Sequence, residues 1–117
     1  MISERAKQVS LDLMNYIEES PTAAHATVAA ARRLDEAGFI EVCEGDAWDL
    51  DPGDRFYVVR GATALIAGQV GTAPPAEAGF RVVGAHTDSP GFRVKMNNPL
   101  RREGYVQLGV EIYGGPI

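Results

Sequence analysis

His86-Thr87-Asp88 follows an apolar run, residues 80–85, whose one charged member is Arg81. Along extended backbone, side chains two positions apart project to the same side. An imidazole and a carboxylate at that spacing can act as one unit. The ring takes a metal, and the carboxylate fixes its tautomer and makes it more basic. The same pair also serves as a structural histidine bonded to a neighbouring aspartate, and spacing alone leaves both readings open. A catalytic zinc takes three protein ligands plus water. The chain holds two histidines, His86 and His25. His25 falls in the first turn of an expected helix, where a capping or packing role competes with ligation. The chain is therefore expected not to assemble a competent metal site alone.

Other chemistry is thinner. There is no Gly-x-Ser-x-Gly elbow, no phosphate-binding Gly-Lys-Ser/Thr loop and no dinucleotide fingerprint. Cys43 stands near Glu41 and Glu44, whose charges disfavour a thiolate, so it is read as a packing residue and not a nucleophile. Arg93 and Lys95, just past the His-x-Asp turn, could face an anionic substrate or lie on a solvated strand face. Trp48 and Tyr57 are read as core or rim packing.

The elements that must position these residues follow from period and punctuation. Ser3 caps a first helix, with Ala6, Val9, Leu13 and Ile17 at helical spacing. Ser20-Pro21 breaks it, and Thr22 caps a second helix whose apolar stripe is Ala24, Val28, Ala31 and Leu34. Gly38 ends that helix in a left-handed cap. Strands are expected at residues 39–42, 56–60 and 62–67, with turn chemistry over Leu50-Asp51-Pro52-Gly53-Asp54 and a junction near Gly61. Residues 71–79, with Pro74-Pro75, read as a surface loop. Residues 80–85 read as a strand covered on both faces. Breaks at Ser89-Pro90-Gly91 and Asn97-Asn98-Pro99 flank a short strand at 92–96, and residues 105–113 read as one long strand. Helices followed by such strands give an α/β layered fold.

Composition bounds the class. With 117 residues, 45% hydrophobic and 23% charged, the chain reads as one soluble globular domain or part of a larger one. A net charge of −5 without a basic stripe argues against nucleic-acid binding. A single cysteine excludes a disulfide framework. No apolar stretch spans a membrane and no secretory signal opens the chain, so the cytoplasm is the expected compartment.

The surroundings of the motif carry more. Gly84-Ala85-His86-Thr87-Asp88-Ser89-Pro90-Gly91-Phe92-Arg93-Val94-Lys95 resembles the first metal-binding segment of the M18 metallopeptidases, the aspartyl aminopeptidases. Ser20-Pro21-Thr22-Ala23-Ala24-His25-Ala26 resembles their N-terminal Ser-Pro-x-x-x-His segment, and residues 111–115 are similar to the family's following strand. The resemblance implies two N-terminal helices packed on a mixed β-sheet, part of a zinc-exopeptidase (phosphorylase/hydrolase-like) catalytic domain. It implies a dizinc exopeptidase that removes N-terminal Asp or Glu from peptides and works as a homo-oligomer. His86 would be a zinc ligand, and Asp88 the catalytic carboxylate that positions it. The remaining ligands and the Glu general base lie later in the family's sequence, so this chain would match its N-terminal quarter or so and be inactive in isolation. Residues 1–95 would belong to the catalytic domain, and residues 96–117 would open an inserted β-rich dimerisation domain. The alternative is a noncatalytic interaction or assembly module.

Overall fold

A computed structural model describes residues 2–97 and 99–115. The chain divides into two compact units between Thr87 and Asp88.

The first unit opens with α1, Glu4–Glu18, and α2, Ala23–Glu36. Both start as their sequences dictate. The Ser3 hydroxyl accepts from the Ala6 N–H, and the Thr22 hydroxyl accepts from the His25 N–H, each satisfying a donor the first turn leaves open. Helix α2 stops at Ala37 and Gly38, where a φ of 78° and the Phe39 N–H bonded to the Leu34 carbonyl reverse the chain.

A mixed three-stranded sheet follows, in the order β1 (Ile40–Glu41), β2 (Arg55–Arg60), β3 (Ala64–Gln69). Strand β1 runs parallel to β2, pairing Ile40 with Phe56, and β2 runs antiparallel to β3 from Arg55↔Gln69 to Arg60↔Ala64. The Asp51–Asp54 turn forms as expected: Asp54 N–H bonds the Asp51 carbonyl, and the Asp54 carboxylate accepts the Asp51 N–H. The β2–β3 connection places both Gly61 and Ala62 at positive φ, the backbone twist that tight hairpins demand.

Helix α2 lies against this sheet. The core is small: Ala26, Ala29, Tyr57 and Val58, with Thr27 buried among them. The Thr27 hydroxyl bonds back to the Ala23 carbonyl, and the Tyr57 hydroxyl donates to Asp35 on α2 at 2.8 Å. The buried face of α2 is therefore turned from the expected stripe. Val28 is 69% exposed, because the small side chains Ala26 and Ala29 are what allow the helix to approach the sheet. The α1 stripe is likewise exposed at Val9, Leu13 and Ile17. Helix α1 instead meets α2 through polar contacts: Tyr16 hydroxyl to the Ala26 carbonyl, and Arg33 to Asp12 at 2.8 Å.

Three further expectations are corrected in this unit. Loop 71–79 contains a short helix, α3 (Pro75–Ala78), started by Pro at its first position and ended by Gly79 at positive φ. Cys43 is exposed and not a packing residue; its carbonyl accepts the Trp48 indole N–H, and the indole lies 5.3 Å from the Phe56 ring. Residues 80–85 form no strand: among the described residues no segment pairs with them, and Phe80, Val82 and Val83 are 82–98% exposed. An apolar run becomes a covered strand only when neighbours supply hydrogen bonds on both sides and layers on both faces.

The second unit is built from two antiparallel ribbons. Strand β4 (Gly91–Val94) pairs with β7 (Val110–Tyr113), and β5 (Leu100–Arg102) with β6 (Tyr105–Gln107). The single strand expected over 105–113 is thus two, broken at Leu108-Gly109, because its halves pair with different partners. The sequence reading also passed over β5, whose turn into β6 puts Glu103 and Gly104 at positive φ. Asn98, part of an expected break, lies outside the described residues, as do Pro116 and Ile117. The expected boundary at residues 95 and 96 falls within this unit, between β4 and β5.

Candidate metal-binding segment

The predicted pair straddles the division of the chain. His86 belongs to the first unit and Asp88 to the second. In the first unit, Thr87 ties down the end of the 80–85 run, because its hydroxyl donates to the carbonyl of Thr63 in the β2–β3 connection at 2.8 Å. His86, next to that anchor, is exposed.

Asp88 is set by the second unit. Its carboxylate accepts the Tyr113 hydroxyl at 2.8 Å. Tyr113 comes from the end of β7, opposite Gly91 in the register. On the same face, diagonally across the ribbon, Arg93 lays its guanidinium 3.7 Å from the Tyr113 ring centre. The Asp88 carboxylate, through the hydrogen bond first and its charge second, raises the Tyr113 phenol above its ordinary value, while Arg93 pulls it the other way. The chain turns tightly here. Gly114 has a φ of 81°, and a Cβ on it would sit 3.1 Å from the Pro90 Cα. Only glycine lets β7 end so close to the Asp88–Gly91 turn.

The other candidates stand elsewhere. The His25 Nδ1 lies 2.8 Å from the Thr22 hydroxyl, so this histidine is part of the α2 cap, the competing role weighed for it. Arg93 is engaged with Tyr113, and the Lys95 backbone N–H bonds the Gly109 carbonyl. Sequence reasoning missed Tyr113. Its relation to Asp88 and Arg93 depends on the β4–β7 register, which no local pattern in residues 105–113 specifies.

As donors for zinc, an exposed imidazole and a held carboxylate are of the right type. Two such donors fall short of the three protein ligands that a catalytic zinc takes. Among the described residues no group of three or more His, Cys, Asp or Glu side chains could hold a metal ion.

The fold with this segment defines a class that known structures share. A chain of the cryo-EM structure of the Ape4 and Nbr1 complex superposes with a TM-score of 0.84 at 35% identity, over 97% of this chain and 22% of that one. Yeast aminopeptidase 1 (Ape1) gives 0.77 at 30% identity, over 92% of this chain and 26% of its own. The mApe1 dodecamer of S. cerevisiae gives 0.79 at 29% identity, over 97% and 27%. The sequence model of the aminopeptidase I zinc metalloproteases (M18) matches residues 16–117, and the chain belongs to that family. A probable M18 family aminopeptidase 2 of Pseudomonas paraeruginosa is 48% identical over 110 residues, and one of Pseudomonas fluorescens is 46% identical over 105. The chain spans about a quarter of the length of these relatives, 26% and 24% respectively.

Proposed function

We propose that this chain supplies the first metal-binding segment of a zinc-dependent aminopeptidase that removes acidic residues, Asp or Glu, from peptide N-termini. The observation that carries the reading is the family match over residues 16–117, which includes His86-Thr87-Asp88. His86 is the zinc ligand, and Asp88 orients its imidazole. When bound, zinc polarises the scissile carbonyl and lowers the pKa of the attacking water. This chain's own part is to present the His86 ring beyond the Thr87 anchor and to hold the Asp88 carboxylate through Tyr113. With one corner of the site, the chain alone turns over no peptide and binds zinc weakly or not at all.

The test is substitution in the complete protein. His86→Ala abolishes hydrolysis of Asp- and Glu-peptides, and Asp88→Ala lowers zinc affinity by roughly 10–100-fold with the fold intact. Near-normal turnover by the His86→Ala protein overturns the assignment. Faster hydrolysis of leucyl than of aspartyl or glutamyl peptides overturns the substrate class.

Residues 1–95 belong, on this reading, to a catalytic domain, and residues 96–117 open a β-rich dimerisation insert. The β5–β6 ribbon within 96–117 supports that reading. The family's dodecameric member supports a homo-oligomer, and the cytoplasm is the compartment that fits. A second reading, an assembly module without catalysis, draws on the exposed apolar run at Phe80, Val82 and Val83. Light scattering of the chain separates a monomer from a self-associating species.

A further inference from the structure

Asp88 does not stand alone on its turn. Tyr113 and Arg93, both on the β4–β7 ribbon, build a support for it. Tyr113 reaches Asp88 with its hydroxyl at 2.8 Å. Arg93 packs on that ring, its guanidinium 3.7 Å from the ring centre. The strand ends that carry the pair are locked by Gly91↔Tyr113 pairing and by the close passage of Gly114 over Pro90. A carboxylate on an exposed turn rotates freely unless a donor holds one of its oxygens. The Tyr113 hydroxyl is such a donor, at Oδ2.

We propose that Tyr113 is a positioning residue for the metal site: it orients the Asp88 carboxylate, with Arg93 fixing the ring that does so. The inference rests on the reading of His86 and Asp88 given above. It adds a third layer, in which ribbon holds carboxylate and carboxylate holds imidazole. Outer partners of metal ligands tune affinity by setting ligand direction, so the effect of Tyr113 must pass through Asp88.

That dependence makes the proposal testable apart from activity. In the complete protein, zinc affinity is measured by chelator competition for the parent, Asp88→Ala, Tyr113→Phe and the double variant, with melting temperature recorded for each. Tyr113→Phe keeps the ring over Arg93 and removes one oxygen. It lowers zinc affinity by roughly 3–10-fold, less than the loss of Asp88 itself. In the Asp88→Ala background the same change alters affinity less than about 2-fold, because the coupled pair acts as a unit. Arg93→Met, which loosens the ring without touching the hydroxyl, gives a smaller loss that also vanishes without Asp88, and it serves if Tyr113→Phe fails to fold. Parent-like affinity in Tyr113→Phe, with Asp88→Ala impaired, overturns the role of Tyr113 alone. Equal losses in both backgrounds show a general structural effect and overturn it too. Unchanged zinc affinity in Asp88→Ala overturns the metal-site reading beneath it.

Discussion

At the scale of single residues, this chain uses tyrosine hydroxyls to fix carboxylates. Tyr57, 3% exposed, donates to Asp35 and so ties the sheet to α2. The hydrogen bond to Asp35 is the main cause that raises its phenol from 10.0 to about 12, with burial and the Asp35 and Glu41 charges adding. Folding therefore favours the neutral phenol. The stabilisation is complete below the unfolded value of 10.0 and is lost as pH rises toward about 12. Urea midpoints of the chain should fall across that window, and Tyr57→Phe should flatten the fall; an unchanged slope refutes the link. His86 and Asp88 stood out as candidates at this scale because their chemistry is written in their types and spacing. Tyr113 was not, because its partner lies 25 residues away in sequence.

At the scale of elements, capping residues proved more informative than hydrophobic stripes. Ser3, Thr22 and Gly38 act locally, through bonds to backbone within a turn, so their roles survive in the fold. Thr22→Ala should destabilise the first unit by about 1 kcal/mol, read as a lower urea midpoint with an unchanged slope. The cap also holds His25, so the variant should free that ring to move, seen as a shift in its NMR signals. The stripes misled because periodicity gives a helix an apolar face without saying what meets it. Val28 and Ile17 sit at helical spacing and are 69% and 60% exposed, while the small Ala26 and Ala29 are buried against the sheet. Strand 105–113 failed for a related reason: alternation persists through Leu108-Gly109, but the pairing partner changes there.

At the scale of the whole molecule, the two units carry different parts of one motif, with His86 closing the first and Asp88 opening the second. The donor count predicts the behaviour of the chain alone. Calorimetric titration with zinc should give no tight one-to-one isotherm, since a structural or catalytic site needs at least three protein ligands; a tight isotherm would contradict the single-corner reading. The exposed residues Phe80, Val82 and Val83 predict concentration-dependent self-association, which light scattering checks. Replacing Val83 with Lys should suppress it without unfolding the chain, because that side chain, 98% exposed, packs on nothing. By itself the sequence determined the α/β class, the helix caps, the turns and the segment around His86, all of which depend on residue type and on neighbours a few positions away. Only the tertiary structure decided which face of α2 is buried, that residues 80–85 pair with no strand among the described residues, and that Tyr113 bonds Asp88 while Arg93 lies over the Tyr113 ring. Those outcomes depend on strand register and on which distant surfaces meet, and packing between elements is not encoded in any short stretch of chain.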